Sequence, residues 1–331
     1  MGIVRMRRRI WLSMVVLGCG AAPSREQGEL GSGITQNGVD DDDGEDEDPV
    51  EDDEDDARLD VPDTVPPRDG CTAVDLLFVI DNSGSMCEAQ EGLAAALPGL
   101  VDAIYDSLPA DTDIHVGITT TSFSQDGSHQ QRECRAAEAE GVILEHYITD
   151  VRIEGNGYQG RLYAYDGLSW FEANTGDPTA REPLRDWFSA AAASVGCSGG
   201  AFEFPSAAAA YAVDESNADI NGGFLRDEGA ALAIFVLSNE VDDGPEPVET
   251  YRDMIRAAKS GCGGDACIVT AGLLATDCVP SSDPLIWRFL NAFGRDPTWG
   301  DVLDFAGYEA VVSGALADAI VDTCESITPA G

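Results

Sequence analysis

Apolar residues along this chain form two patterns, continuous runs and spaced repeats. Continuous runs predict strands buried on both faces of a parallel sheet, at residues 74–80, 113–121, 230–238 and 266–274. Repeats at steps of three and four predict helices, at residues 86–108, 183–193, 202–213, 248–259, 284–293 and 308–326. This alternation indicates an α/β domain with a doubly wound, mostly parallel sheet flanked by helices.

One stretch interrupts the alternation. Residues 125–179 are rich in glycine and polar residues, with glycines at positions 155, 157, 160 and 167. A long segment of this composition predicts a hairpin-bearing insertion, placed over one edge of the sheet or over its binding face.

The first 19 residues predict an export signal. Arginines between residues 5 and 9 precede a short apolar stretch at 10–17, which is too short to span a bilayer. The signal ends in Val-Leu-Gly-Cys, which resembles a bacterial lipobox with Cys19 as the lipidated residue. Because Gly20 follows, the resemblance implies a lipid-anchored protein of the cell envelope, at the outer membrane. Cleavage after residues 20–22 would instead release a secreted protein.

Charge is concentrated in the next segment. Between Asp40 and Asp56, 14 of 17 residues are acidic, so residues 20–70 are expected to form a disordered acidic tether ahead of a domain at 71–327. The whole chain has a net charge of −42, and residues 71–331 alone carry 42 acidic against 12 basic side chains, which gives −30. This balance excludes nucleic acid as a partner and disfavours anionic lipid surfaces.

Cysteine usage agrees with export. If Cys19 is lipidated, an even number of cysteines remains, which predicts disulfides. The first expected pair is Cys71 with Cys324, because the two ends of a doubly wound domain can lie close together. Zinc is the alternative for Cys262 and Cys267. The remaining disulfide candidates are Cys87, Cys134, Cys197 and Cys278.

The strongest chemical signal follows the first strand. Asp81, Ser83 and Ser85 alternate in a short loop, so one carboxylate and two hydroxyls can point at one cation, and such oxygen ligands suit Mg²⁺, Mn²⁺ or Ca²⁺. The run Val-Asp-Leu-Leu-Phe-Val-Ile-Asp-Asn-Ser-Gly-Ser-Met resembles the metal-ion-dependent adhesion site of von Willebrand factor type A domains in secreted bacterial lipoproteins. Two later segments, residues 115–121 and 221–226, extend this resemblance.

The resemblance also implies ligands from two further loops. Where the family has a Thr, this chain has Cys197 with Ser198 beside it, and where the family has an Asp, it has Asn239. Ser198 and Asn239 are therefore expected to complete the site, with Cys197, Glu240 and Asp242 as weaker candidates. These replacements remove charge, so metal binding is expected to be weaker than with the full motif.

A second calcium site is a further hypothesis. Residues 217–228 have the spacing of a calcium-binding EF-hand loop, and its ligands would be Asn217, Asp219, Asn221 and Glu228. A plain turn into the next strand explains the same residues.

Three functions follow from these patterns. The first is an envelope lipoprotein, not an enzyme, whose domain binds a protein ligand through the divalent cation, with a carboxylate of the ligand completing the metal's shell. The second is a metal-independent scaffold or interaction domain. The third, more remote, is a serine hydrolase using Ser198, but His115, His129 and His146 all precede that serine, in the opposite order to hydrolases with a Gly-x-Ser-x-Gly motif.

Overall fold

Six strands form one sheet in the part of the chain that the structure describes. The structure is a computed structural model, and it describes residues 70–123, 155–199, 202–244, 246–276 and 285–327, all within the compact unit Pro62–Gly331. The strands are β1 Ala73–Ile80, β2 Asp113–Thr120, β3 Trp170–Asn174, β4 Ala230–Ser238, β5 Ile268–Leu274 and β6 Thr298–Asp301.

The strands lie in the order β3-β2-β1-β4-β5-β6. All neighbours are parallel except β3, which pairs antiparallel with β2. This is the strand order of a doubly wound sheet, so the predicted fold class is confirmed. The order reverses at β1, which lies between β2 and β4, and ligands bind at such a reversal, outside the carboxyl ends of the strands.

Helices cover both faces of the sheet. Their bounds are α1 Cys87–Ser107, α2 Arg181–Ser194, α3 Pro205–Ala212, α4 Ala218–Asn221, α5 Val248–Ala258, α6 Leu285–Leu290 and α7 Leu316–Ser326, which a π-helical turn at Ala310–Ala315 precedes. Alternate residues of β1 enter opposite core layers. Phe78 packs in the layer of α1, α2 and α7, whereas Val79 packs in the layer of α3, α5 and α6.

The edge strands differ from the prediction. β3 and β6 are short, half-exposed strands, of sequences Trp-Phe-Glu-Ala-Asn and Thr-Trp-Gly-Asp, that the apolar pattern does not reveal. β3 lies within the predicted insertion at 125–179 and extends the main sheet at its edge. Residues 124–154 of that insertion lie outside the described residues.

A buried ion pair fixes the segment that leads into β4. Asp75 in β1 is fully buried, and its carboxylate accepts hydrogen bonds from the backbone N–H of Arg226 at 2.9 Å and from Nε of the same side chain at 2.8 Å. His115 in β2 lies beside this pair, with Nδ1 2.6 Å from the carbonyl oxygen of Phe224. These contacts lie near the amino ends of β1 and β2, at the edge of the sheet opposite Asp81.

Three disulfides are present among the described residues. Cys71 and Cys324 are bonded as predicted, with Cα atoms 4.6 Å apart. Cys87 is bonded to Cys197, and Cys262 to Cys267, so the zinc alternative for the last two is wrong. Disulfides of this number indicate an extracellular or exported protein.

Several predictions concern residues that the structure does not describe. The signal peptide at 1–19, the lipidation of Cys19, the tether up to residue 69, and the cysteines Cys134 and Cys278 lie outside the described ranges. Within those ranges, every helix is too short or too polar to cross a membrane.

Candidate functional site

The loop after β1 begins with a carboxylate that water does not reach. Asp81 is 0% exposed, Oδ1 accepts a hydrogen bond from the backbone N–H of Ser83 at 2.8 Å, and Oδ2 accepts one from the hydroxyl of Ser238 at 2.7 Å. Burial raises the pKa of Asp81 to about 6, although the hydrogen bonds from both serines act in the opposite direction. The nearby negative charge of Glu240 raises this pKa further.

Hydroxyl and amide oxygens converge beside this carboxylate. The hydroxyls of Ser83 and Ser85 lie 3.3 Å apart, and the Ser85 hydroxyl donates to Oδ1 of Asn239 at 3.1 Å. Four of the five main predicted ligands therefore lie together at the ends of β1 and β4. They are Asp81, Ser83, Ser85 and Asn239. This arrangement follows from the parallel pairing of the two strands, which brings their carboxyl ends to one edge.

The loop with Ser198, the fifth predicted ligand, is fastened to the same site. Gln90 in α1 donates from Nε2 to the backbone oxygens of Asp81 at 2.7 Å and Gly196 at 2.9 Å. Gly199 N–H donates to the backbone oxygen of Asn82 at 2.7 Å. The Ser198 side chain is exposed on this loop, two residues beyond Gly196.

Cys197 is not available as a ligand. Its sulfur is bonded to Cys87 in the first turn of α1, with Cα atoms 5.3 Å apart. A disulfide sulfur lacks the thiolate that binds metal ions, so the weaker prediction for Cys197 is wrong. The bond instead holds the Ser198 loop against the helix that follows Ser85.

The other weaker candidates have different surroundings. Asp242 is buried, its Oδ2 accepts hydrogen bonds from the hydroxyl and backbone N–H of Ser206, and its Oδ1 accepts one from the N–H of Gly244 at 3.0 Å. Asp242 thus caps the amino terminus of α3 from another loop, although burial raises its pKa to about 6. Glu240 is half-buried, and its backbone N–H donates to the hydroxyl of Ser238 at 3.2 Å.

Sequence reasoning missed one buried acid. Glu203 is 0% exposed, its Oε2 accepts a hydrogen bond from the hydroxyl of Thr121, and its Oε1 has no hydrogen-bond partner among the described residues. Burial, and then the charge of Asp81, raises the pKa of Glu203 well above its ordinary value. A single acid between Phe202 and Phe204, just before a helix, was the sequence signal that could have identified it.

Two of the four residues predicted for the second calcium site have other hydrogen-bond partners. Asn221 uses both ends of its amide: Oδ1 accepts from the N–H of Leu162 at 2.8 Å, and Nδ2 donates to two backbone carbonyls. The side chain of Asn217 also donates to two backbone carbonyls. The chain from 218 to 221 is the short helix α4, so the predicted set of Asn217, Asp219, Asn221 and Glu228 does not lie on an open EF-hand loop.

The described residues fit a hard cation with few carboxylates. They contain no cluster of three or more His, Cys, Asp or Glu side chains with the geometry of a metal site. The predicted site depends instead on one carboxylate, hydroxyls and an amide oxygen, which are ligands that Mg²⁺ and Ca²⁺ accept. A cation placed here would stabilise both the buried Asp81 carboxylate, whose pKa is raised, and the unpartnered Oε1 of Glu203.

The hydrolase alternative lacks a histidine near Ser198 in the described part of the chain. His115 pairs in register with Asp75, six residues before Asp81 on β1. At about 3.3 Å per residue, it lies roughly 20 Å from this edge of the sheet.

No family profile matches this sequence, and no curated protein matches it. Among solved structures, it is similar to a von Willebrand factor type A protein from Catenulispora acidiphila, at 15% identity and a TM-score of 0.38, over 75% of this chain and 43% of the other. It is also similar to the pilus adhesin SpaC of Lactobacillus rhamnosus GG, at 13% identity and a TM-score of 0.39, over 76% of this chain and 30% of the other.

A third similar structure is proximal thread matrix protein 1 from the mussel byssus, at 9% identity and a TM-score of 0.39, over 77% of this chain and 49% of the other. The match spans less than half the length of each of these three proteins. At such identities and scores the matches carry no argument about function, and the fold class depends on the sheet itself. The mixed six-stranded sheet fits the von Willebrand factor type A fold that the sequence resemblance implies.

Proposed function

We propose that this domain binds a protein ligand at the carboxyl edge of its sheet, through a divalent cation held by Asp81, Ser83, Ser85, Asn239 and Ser198. The observation that supports this most directly is the meeting of the first four side chains, with the Asp81 carboxylate buried and the Ser85 hydroxyl 3.1 Å from Oδ1 of Asn239. When bound, the cation would supply an open coordination position for an oxygen of the ligand.

Each residue has a separate task in this proposal. Asp81 supplies full negative charge, and its bonds to Ser83 N–H and the Ser238 hydroxyl hold its carboxylate in one orientation. Ser83 and Ser85 supply neutral oxygens, so a coordination position of the cation stays open for a ligand carboxylate. Gln90 and the Cys87–Cys197 disulfide keep the Ser198 loop at the rim of the site.

Anchoring at the cell envelope is the second part of the proposal. Lipidation at Cys19 would fix the chain to the outer membrane, and the acidic tether at residues 20–70 would extend the domain away from the membrane because its charges repel one another. Radioactive palmitate tests this step. We expect label in the wild type and none in Cys19→Ser, whereas equal labelling of both would exclude the anchor.

Calorimetric titration of the full chain with Mg²⁺, Mn²⁺ and Ca²⁺ tests the metal. The acidic run at residues 40–56 gives weak, non-specific heat in every variant, so only the difference between variants is informative. We expect saturable binding in the wild type that Asp81→Ala removes. Equal heats for the two proteins would leave the metal-independent interaction domain as the function.

Ligand binding is tested by comparing captured partners with and without chelator. A partner of the proposed kind is retained by the wild type in Mg²⁺, and it is released by chelator and not retained by Asp81→Ala. Capture that neither chelator nor the variant changes would contradict a metal-bridged contact.

A further inference from the structure

Glu203 lies between the ends of two strands that flank β1. Its side chain accepts a hydrogen bond from Thr121, the residue after β2, and its backbone oxygen accepts one from the N–H of Asp243 at 2.7 Å. The N–H of Phe204 donates to the backbone oxygen of Thr121 at 3.0 Å. The position of Glu203 is therefore fixed from both the β2 side and the β4 side.

Asp81 occupies the strand end between these two attachments. The N–H of Thr121 donates to the backbone oxygen of Ile80 at 3.3 Å, and the N–H of Asp81 donates to that of Leu237 at 2.9 Å. Glu203 is thus held beside Asp81 at the reversal point of the sheet. Their closeness is reflected in the charge of Asp81, which is the largest influence after burial on the raised pKa of Glu203.

One oxygen of this carboxyl group has no partner. Oε1 of Glu203 forms no hydrogen bond within the described residues, although the side chain is completely buried. The charges that act on it are those of Asp81, Glu240 and Asp243, which are all acidic. A buried carboxylate in such surroundings requires either a proton or a cation as compensation.

We propose that Glu203 is a further ligand of the divalent cation, contributing through Oε1, directly or through one water, the second full negative charge of the site. This inference rests on the proposed function, since it assigns Glu203 to the same ion as Asp81. Asn239 offers an oxygen without charge, and Cys197 is in a disulfide, so neither supplies a second negative charge. Glu203 would supply this second charge beside Asp81, while the neutral oxygens of Ser83 and Ser85 leave a coordination position for the ligand.

The variant Glu203→Gln tests this assignment in the full chain. It preserves the volume of the side chain and leaves a carbonyl oxygen to accept the hydrogen bond from Thr121. We expect its affinity for Mg²⁺ and Mn²⁺ to fall by about 10- to 100-fold in calorimetry, the usual effect of removing a group that supports a metal site. The increase in its unfolding temperature on adding Mg²⁺ should also be smaller than that of the wild type.

Glu88→Gln is the matched control, because it removes one negative charge from an exposed position in the first turn of α1, next to Cys87. We expect its affinity to stay within about twofold of the wild type, since exposed charges are screened. If Glu203→Gln does not fold, Glu203→Asp is the variant to measure. It keeps the charge but has a side chain shorter by one methylene, so we expect a smaller loss of affinity than the one expected for Glu203→Gln.

The possible failures are distinguishable. If Asp81→Ala abolishes binding but Glu203→Gln or Glu203→Asp binds as well as the wild type, Glu203 is a protonated structural residue and the inference is wrong, while the proposed function stands. If wild type and Asp81→Ala give the same weak heat, the proposed function fails and the inference fails with it. If Glu88→Gln weakens binding as much as Glu203→Gln, the effect is general electrostatics and the assignment is overturned.

Discussion

The side chains of Ser85 and Asn239 are joined by a hydrogen bond although 154 residues separate them in the chain. The Ser85 hydroxyl donates to Oδ1 of Asn239 at 3.1 Å, and so connects the loop after β1 to the end of β4. The contact fixes the direction in which the Asn239 oxygen points. A negative charge added at residue 239 would therefore lie directly beside the β1 loop.

Asn239→Asp should strengthen metal binding. The substitution keeps the oxygen that Ser85 contacts and adds one negative charge, which we expect to raise the affinity for Mg²⁺ by about tenfold, equivalent to roughly 1.4 kcal/mol. Calorimetry of the full chain measures the change, with Asn239→Ala as the comparison that loses the oxygen. Equal affinity in Asn239→Asp and Asn239→Ala would exclude residue 239 as a ligand.

Asp81→Asn should stabilise the metal-free protein at neutral pH. Burial raises the pKa of Asp81 from its ordinary value of 3.8 to about 6, so between these values the folded state holds a proton that the unfolded state has released. Stability therefore falls as the pH rises through this window, and the loss is complete above about pH 6. We expect the variant to gain about 1 to 3 kcal/mol at pH 7.5.

Urea unfolding with chelator at pH 4.5, 6 and 7.5 checks this prediction. The pKa values of Asp75, Glu203 and Asp242 are also raised by burial, and that of His115 is lowered by burial, so the wild type sums several contributions. The difference between wild type and Asp81→Asn isolates one group. That difference should grow with pH, and a constant difference would contradict an Asp81 pKa near 6.

Removal of the Cys87–Cys197 disulfide should weaken both stability and metal binding. Replacing both cysteines by serine is expected to cost about 2 to 4 kcal/mol of unfolding free energy. Affinity should fall several-fold as well, because the loop with Ser198 loses its bond to α1.

The pair Cys71 and Cys324 provides the control. Cys71 lies roughly 30 Å from Asp81 along β1, at about 3.3 Å per residue. Its removal should reduce stability by a similar amount without changing the metal affinity. Equal effects of the two double variants on affinity would indicate that general destabilisation, rather than loop position, controls binding.

Gly199→Ala should disturb the site sterically. A Cβ atom on Gly199 would lie 2.5 Å from Cγ of Asn82, which is buried and whose Oδ1 accepts a hydrogen bond from Ser122 at 2.8 Å. Overpacking of this kind costs about 1 to 3 kcal/mol. Gly84→Ala is the matched variant in the same site, because no atom lies within 4 Å of its added Cβ. Thermal unfolding should separate the two, and equal unfolding temperatures would contradict the close packing at Gly199.

The sequence revealed the central strands because burial on both faces leaves a continuous apolar run. β1, β4 and β5 are buried along their full lengths, and all three were predicted within two residues of their bounds. β3 and β6 have one exposed face and only five and four residues, so no run or period distinguishes them from loops. Their existence depends on a neighbouring strand edge, which is a tertiary property.

The residues of the candidate site also divide into those that a local sequence pattern predicts and those that depend on tertiary contacts. Asp81, Ser83 and Ser85 are close in sequence, so their spacing alone predicted one loop, whereas the contact of Ser85 with Asn239 required the resemblance to place it. Glu203 was missed because its importance comes from burial beside Asp81, which no local pattern encodes. The bond between Cys87 and Cys197 was not predicted either, because eight cysteines allow many pairings and the sequence does not select among them.

The Cys71–Cys324 disulfide has a mechanical consequence. Cys71 lies two residues before β1, and Cys324 lies in the last helix, so a force applied to the two ends of the described domain passes through a covalent bond and does not load the sheet. If a ligand at Asp81 is pulled while the domain is held at Cys71, the force instead acts along β1. That strand is paired with β2 and with β4 over eight residues each, and lengthwise tension would shear both ladders at once. Both ladders would therefore share the load if the domain holds a ligand at Asp81 and is anchored through the chain before Cys71, as we propose.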